Sequence, residues 1–310
     1  MAVIELENLV VEYDGFRALD NLNLSIGEER VALLGPNGAG KSTLMKSILG
    51  YLQATSGTIK VFGNTLPHNA LDVRRDIGYM PEREVVSPHV SSVSFLTHCG
   101  RLFGMSRVDA LERAHGILNY VGLGENRYRP MGTYSTGMLQ RAKLAQALIH
   151  DPKLLLLDEP TNGLDPDGRM EMLELVKDIA TQRNVAILFS SHLLPDVEHV
   201  CNRIVMVNDG EIVQDGSLDS LTVARASTLE IGFWGEGLPL LEKLVESGAR
   251  YDVLPNGRYV LGVPDTMTGP DIFSRASEMG VQIRHFQQAR QTLGEAFVGA
   301  IAQPGTAETS

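Results

Sequence analysis

The chain has 310 residues, 43% of them apolar and 21% charged, enough for a large core and one further small domain. A net charge of −11 leaves no basic excess to displace counterions from a phosphate backbone, which excludes general nucleic-acid affinity. Cys99 and Cys201 lie among apolar residues and form neither a disulfide framework nor a zinc site. The first residues lack a basic region followed by an apolar stretch, and no apolar run is long enough to span a bilayer, so a soluble intracellular chain is expected.

Residues 4–13 and 22–26 alternate in part and predict strands, followed by the short apolar run 30–34 of buried-strand type. That run feeds Gly35-Pro36-Asn37-Gly38-Ala39-Gly40-Lys41-Ser42-Thr43, which fits the phosphate-loop template at Gly35, Gly40, Lys41 and Ser42. Glycines let backbone N–H groups close around phosphate oxygens. Lys41 adds a flexible charge at the outer phosphates, and the Ser42 hydroxyl is a hard oxygen suited to Mg²⁺. The helical segment 43–49 stops at Gly50, so strand, loop and helix follow in the order a nucleoside triphosphate site needs.

Strands are expected at 57–63 and 77–80. From about residue 91 the period becomes helical, with Val93, Leu96, Cys99 and Phe103, then Leu111, Ala114, Leu118 and Val121, at helical spacing. The run 153–158 is too continuously apolar for a half-exposed strand. It ends in Asp158-Glu159, two acids that are costly to bury unless a cation or substrate compensates. Adjacent strand residues point to opposite faces, so the two carboxylates need not crowd one another, and one can hold Mg²⁺ through water while the other faces the attacking water. A helix with Met170, Leu173, Val176 and Ala180 on one face leads to a second buried strand, 184–189, a parallel pair with a right-handed crossover. Asp209-Gly210 between short strands predicts a two-residue hairpin.

Beyond about residue 221 the pattern resets. Strands at 228–233, 251–254, 258–263 and 281–286 alternate with helices at 238–245 and 272–279, and a last helix is expected at 292–301. Strand-helix-strand-strand-helix-strand is the ferredoxin-like order.

Taken together, these motifs resemble ATP-binding cassette (ABC) ATPases. Residues 154–158 with Glu159 resemble the Walker B strand and catalytic glutamate, and Tyr134-Ser135-Thr136-Gly137-Met138 resembles the signature sequence. Asn162-Gly163-Leu164-Asp165 resembles the D-loop, His192 matches the switch histidine, and Tyr13, with Phe16 as substitute, lies where an aromatic stacks on adenine. The resemblance covers residues 1 to about 222. It implies an α/β fold: a P-loop ABC ATPase domain over 1–225 with a helical subdomain at about 87–150. A small α+β ferredoxin-like domain over 226–303 and a disordered tail at 304–310 are expected to follow.

The resemblance also implies roles. ATP is held by Tyr13 and residues 35–43, with Ser135 and Gly137 of a second copy capping its γ-phosphate in a head-to-tail homodimer. Ser42, Asp158 and Glu82 face Mg²⁺, Glu159 polarises the attacking water, His192 holds it in line, and Asp165 belongs to the D-loop. Glu82 stands where most of the family has glutamine, and the signature has Thr136 and Met138 in place of a glycine and a glutamine. Such variants occur in exporters of lipids, polysaccharides and drugs. The expected function is therefore the ATPase subunit of an ABC exporter at the cytoplasmic face of the inner or plasma membrane, driving integral membrane permease subunits gripped by residues 87–128. A soluble ABC ATPase acting on ribosomes or chromosomes is the alternative, disfavoured by the acidic charge and the lack of a long heptad segment. A small-molecule kinase leaves Ser135 and His192 unexplained.

Overall fold

The computed structural model describes residues 2–294 except 14, 84–86, 184, 222–223, 236, 255–256, 265–266 and 291–292. Apart from Leu293 and Gly294, the helix expected at 292–301 lies outside the described residues, as does the tail 304–310. Two compact units divide between Leu218 and Asp219.

In the first unit, β1 (Ile4–Tyr13) and β2 (Phe16–Ile26) pair antiparallel from Ile4↔Ile26 to Tyr13↔Phe16. The strand expected at 22–26 thus starts six residues earlier. Its first half, with exposed Phe16 and Arg17, has no clean alternation and becomes strand by pairing with β1. Then come β3 (Arg30–Leu34), α1 (Lys41–Ile48), β4 (Ser56–Val61), the short β5 (Asn64–Thr65), α2 (Ala70–Arg75) and β6 (Ile77–Met80). An antiparallel sheet of order β2-β1-β4-β5 covers one side of the core.

The helical region comprises α3 (Ser92–Leu102), α4 (Arg107–Tyr120), two 3₁₀ turns and α5 (Thr136–Leu148). Ser91, Ser106 and Ser135 cap the three helices, each side chain accepting a backbone N–H of the first turn. The chain returns to the core through β7 (Leu154–Asp158), α6 (Pro166–Arg183), β8 (Ala186–Ser190), α7 (Leu194–Val200), β9 (Arg203–Asn208) and β10 (Glu211–Ser217), and the short α8 (Leu218–Leu221) straddles the division.

The central sheet has the order β10-β9-β3-β8-β7-β6, parallel throughout except for β10. Every residue of β7 and β8 is buried, as their unbroken apolar runs require. The β9–β10 hairpin turns at Asp209 and Gly210, both with positive φ, the conformation a tight hairpin demands. Because β3, β8 and β7 are neighbours, the segments leaving their carboxyl ends, at Gly35, Ser191 and Glu159, emerge side by side.

Strand β6 packs tightly on α5. A Cβ added at Gly78 falls 2.2 Å from the Ala147 carbonyl oxygen and 2.6 Å from a Leu155 methyl. Gly78→Ala is therefore expected to lower stability by about 3 kcal/mol through overpacking, read as a reduced urea midpoint with an unchanged m-value.

The second unit contains β11 (Ala224–Trp234), α9 (Leu238–Glu246), β12 (Arg250–Val253), β13 (Tyr259–Gly262), α10 (Gly269–Glu278) and β14 (Gln282–Arg290). Its antiparallel sheet has the order β12-β13-β11-β14. Leu229, Ile231 and Leu261 of the sheet and Leu240, Leu244 and Ile272 of the helices share one core. Thr268 and Asp271 close a reciprocal capping box on α10. The division falls a few residues before the expected 225/226 boundary, since β11 starts at Ala224, already paired with Arg290 of the second sheet. Among the described residues no helix is long and apolar enough to cross a membrane.

Candidate functional site

The loop between β3 and α1 is shaped by close approach. A Cβ on Gly35 would lie 2.2 Å from the Val207 carbonyl oxygen, and one on Gly40 2.8 Å from the Ala18 carbonyl oxygen. Gly40 also has φ 106°, which side-chain-bearing residues rarely adopt. Lys41, 7% exposed, donates Nζ–H to the carbonyl oxygens of Gly35 at 2.6 Å and Pro36 at 3.0 Å. Burial lowers its pKa, and the nearby carboxylates of Glu159, Asp158 and Glu82 oppose that shift.

Ser42 Oγ donates to Asp158 Oδ2 at 2.8 Å. Burial pushes the Asp158 carboxyl above its ordinary pKa, with the Ser42 hydroxyl pulling the other way. Two hard oxygens, one on a buried carboxylate, are a donor set that fits Mg²⁺ completed by phosphate oxygens and water. Glu159 lies just past the end of β7. Its φ of 51° takes it out of strand geometry, and both carboxylates line one cavity. The Glu159 N–H donates to the Ser190 carbonyl oxygen at 3.0 Å, and its carboxylate meets His192 Nδ1 at 2.9 Å. Burial also raises the Glu159 pKa, against the lowering effect of His192.

This cavity has a volume of about 510 Å³. Of the sequence-predicted residues, Tyr13, Asn37, Gly38, Gly40, Lys41, Ser42, Thr43, Glu82, Asp158, Glu159 and His192 line it, and so does Phe16. The Tyr13 and Phe16 rings meet edge to face at 6.3 Å and are both exposed, at the rim where a base could lie. Gly35 and Ala39 are buried and do not line the cavity; Pro36 meets Lys41 through its carbonyl. Ser135 and Gly137 are not among its lining residues. Ser135 is exposed at the start of α5, accepting the Met138 N–H at 3.3 Å, and Gly137 faces Leu164. Asp165 is exposed and accepts the Gly168 N–H at 3.2 Å.

Two polar residues of α5, Gln140 just after the signature-like run and Lys143, which the sequence did not single out, tie these parts together. Lys143, 2% exposed on α5, donates to the Glu82 carbonyl oxygen at 2.9 Å, and Gln140 donates to that of Asn162 at 3.0 Å. Thr161, Arg169 and Asp196 form a second such cluster.

The family profile described as ABC transporter matches residues 19–162. An uncharacterized ABC transporter ATP-binding protein of Bacillus subtilis, YxlF, is 35% identical over 96% of this chain and 99% of its own length. The daunorubicin/doxorubicin resistance ATP-binding protein DrrA of Streptomyces peucetius is 30% identical over 97% of this chain and 93% of its own. Among solved structures, the dimeric post-hydrolysis state of the ATP-binding cassette MJ0796, bound to ADP and phosphate, superposes with a TM-score of 0.65 at 25% identity, covering 69% of this chain and 98% of that one. A relative matched almost end to end at this identity admits one assignment: the chain belongs to the family of ABC transporter ATP-binding proteins.

Proposed function

We propose that this ATPase works as two copies that close on ATP and drive separate integral membrane permease subunits of an exporter, at the cytoplasmic face of the inner or plasma membrane. The reading rests above all on the convergence of Lys41, Ser42, Asp158, Glu159 and His192 on one cavity. Relatives named for drug resistance and bacitracin transport support the exporter class. Relatives of this kind do not favour action on ribosomes or chromosomes.

In this scheme the adenine lies against Tyr13 or Phe16, and the triphosphate enters the loop 35–43, where Lys41 exchanges backbone carbonyls for phosphate oxygens. Ser42 and Asp158, with Glu82 beside them, would hold Mg²⁺, which when bound neutralises phosphate charge. Glu159, its basicity raised by burial, takes up proton density from the attacking water. His192 turns from the Glu159 carboxylate towards the γ-phosphate and fixes the line of attack. Ser135 and the Gly137 N–H of the second copy, at the start of α5, cap the same phosphate. The helical region around 87–128 grips the permease, and the second unit, ferredoxin-like in element order, is an accessory domain.

The test is phosphate release from ATP without an acceptor, together with co-purification of an integral membrane protein. Co-sedimentation with ribosomes and no membrane partner would overturn the transport reading.

Glu82 gives a narrower prediction. Its carboxylate shares the cavity with Asp158 and contributes to raising the Asp158 pKa. Glu82→Gln removes one negative charge beside the triphosphate and is expected to tighten Mg-ATP binding about two- to fivefold at low salt. ATP hydrolysis should remain measurable while coupling to transport changes; complete loss of hydrolysis would refute this role.

A further inference from the structure

Asp196 lies outside the cavity and carries none of the roles above, yet its side chain is 0% exposed. Thr161 Oγ1 donates to its Oδ2 at 2.6 Å. The Arg169 guanidinium, on α6, forms an ion pair with its Oδ1. Each partner sits next to a residue of the reaction. Thr161 follows Glu159 by two positions, Asp196 follows His192 by four, and the Arg169 N–H donates to the Asp165 carbonyl oxygen at 2.9 Å. One buried carboxylate therefore ties together the segments carrying the general base, the switch histidine and the D-loop. A buried ion pair is a poor device for stability alone, because apolar residues of similar volume serve a fold as well or better. What it supplies is a side-chain tie between three segments whose other bonds run through the backbone, such as Glu159 N–H to the Ser190 carbonyl, or through the Glu159–His192 contact at the cavity.

We infer that Asp196 is a positioning residue for ATP hydrolysis: it sets the Glu159–His192 pair and links it to the Asp165 loop. The inference rests on the roles proposed above for Glu159 and His192. A displacement of about 1 Å at reacting groups costs on the order of 100-fold in rate. Asp196→Asn keeps the volume and one acceptor but loses the charge facing Arg169. It is expected to lower kcat about 10- to 100-fold, with KM for ATP and the affinity for a fluorescent ATP analogue within about threefold of wild type.

Thr161→Val keeps the carboxylate and its ion pair and covers the case in which Asp196→Asn does not fold. It should lower kcat in the same selective way, and Asp196→Glu should recover part of the lost turnover. Where both fold, the effects of Thr161→Val and Asp196→Asn should be less than additive. Glu159→Gln is run alongside. Wild-type kcat in Asp196→Asn, with Glu159→Gln inactive, overturns the inference and leaves the proposed function standing. Wild-type kcat in Glu159→Gln overturns both. A matching loss of nucleotide affinity, or a fall in folded fraction that accounts for the lost kcat, marks a merely structural role and overturns the inference alone.

Discussion

Glu159→Gln is expected to reduce steady-state ATP hydrolysis by about 10²- to 10⁴-fold, the usual contribution of a positioned general base. Nucleotide binding should survive, because the loop 35–43, Ser42 and Asp158 are untouched. ATP should then hold two subunits together instead of being consumed, and the variant should elute from a sizing column as a dimer with Mg-ATP and as a monomer with ADP. A second signature follows from burial. The Glu159 pKa is raised in the folded state, so ionising the group works against folding as pH rises through that value, and below the ordinary carboxylate range the penalty is absent. A neutral glutamine never carries it. The melting temperature of the nucleotide-free variant should exceed that of the wild type near pH 7, and the gap should narrow as the pH is lowered. Wild-type turnover in Glu159→Gln would remove the general base from the scheme.

Ser135→Asp tests the other half of the site. Aspartate caps a helix as well as serine does and suits the positive end of its dipole, so the free subunit should keep its melting temperature and its affinity for ATP. In the closed dimer proposed above, the same carboxylate would meet the γ-phosphate of the other copy. Two like charges at about 4 Å repel by about 4 kcal/mol at an effective dielectric of about 20, on the order of 1000-fold in the association constant. The ATP-dependent dimer should disappear even in the Glu159→Gln background, and hydrolysis should fall with it. A Ser135→Asp variant that still dimerises on ATP would show that α5 does not face the second nucleotide.

Much of this was legible in the residues because the signals were local. The loop 35–43 declares itself by residue type, β7 and β8 by unbroken apolar runs, and the β9–β10 hairpin by Asp209-Gly210. The order of elements in the second unit was visible for the same reason, but its sheet order was not, since pairing depends on contacts distant in sequence. Long-range polar contacts were equally hidden. Nothing about Asp196 within α7 marks it as the partner of Thr161 and Arg169, and Lys143 resembles any helix lysine until its ammonium is found on the Glu82 carbonyl. The left-handed backbone at Glu159, just past the end of β7, was likewise not legible in the residues.

The two bonds that Lys41 makes to Gly35 and Pro36 carry a last implication. With its ammonium already anchored, a phosphate group that draws Lys41 over must replace both carbonyl bonds. A triphosphate whose ring also meets Tyr13 or Phe16 would spread that exchange over several contacts at once.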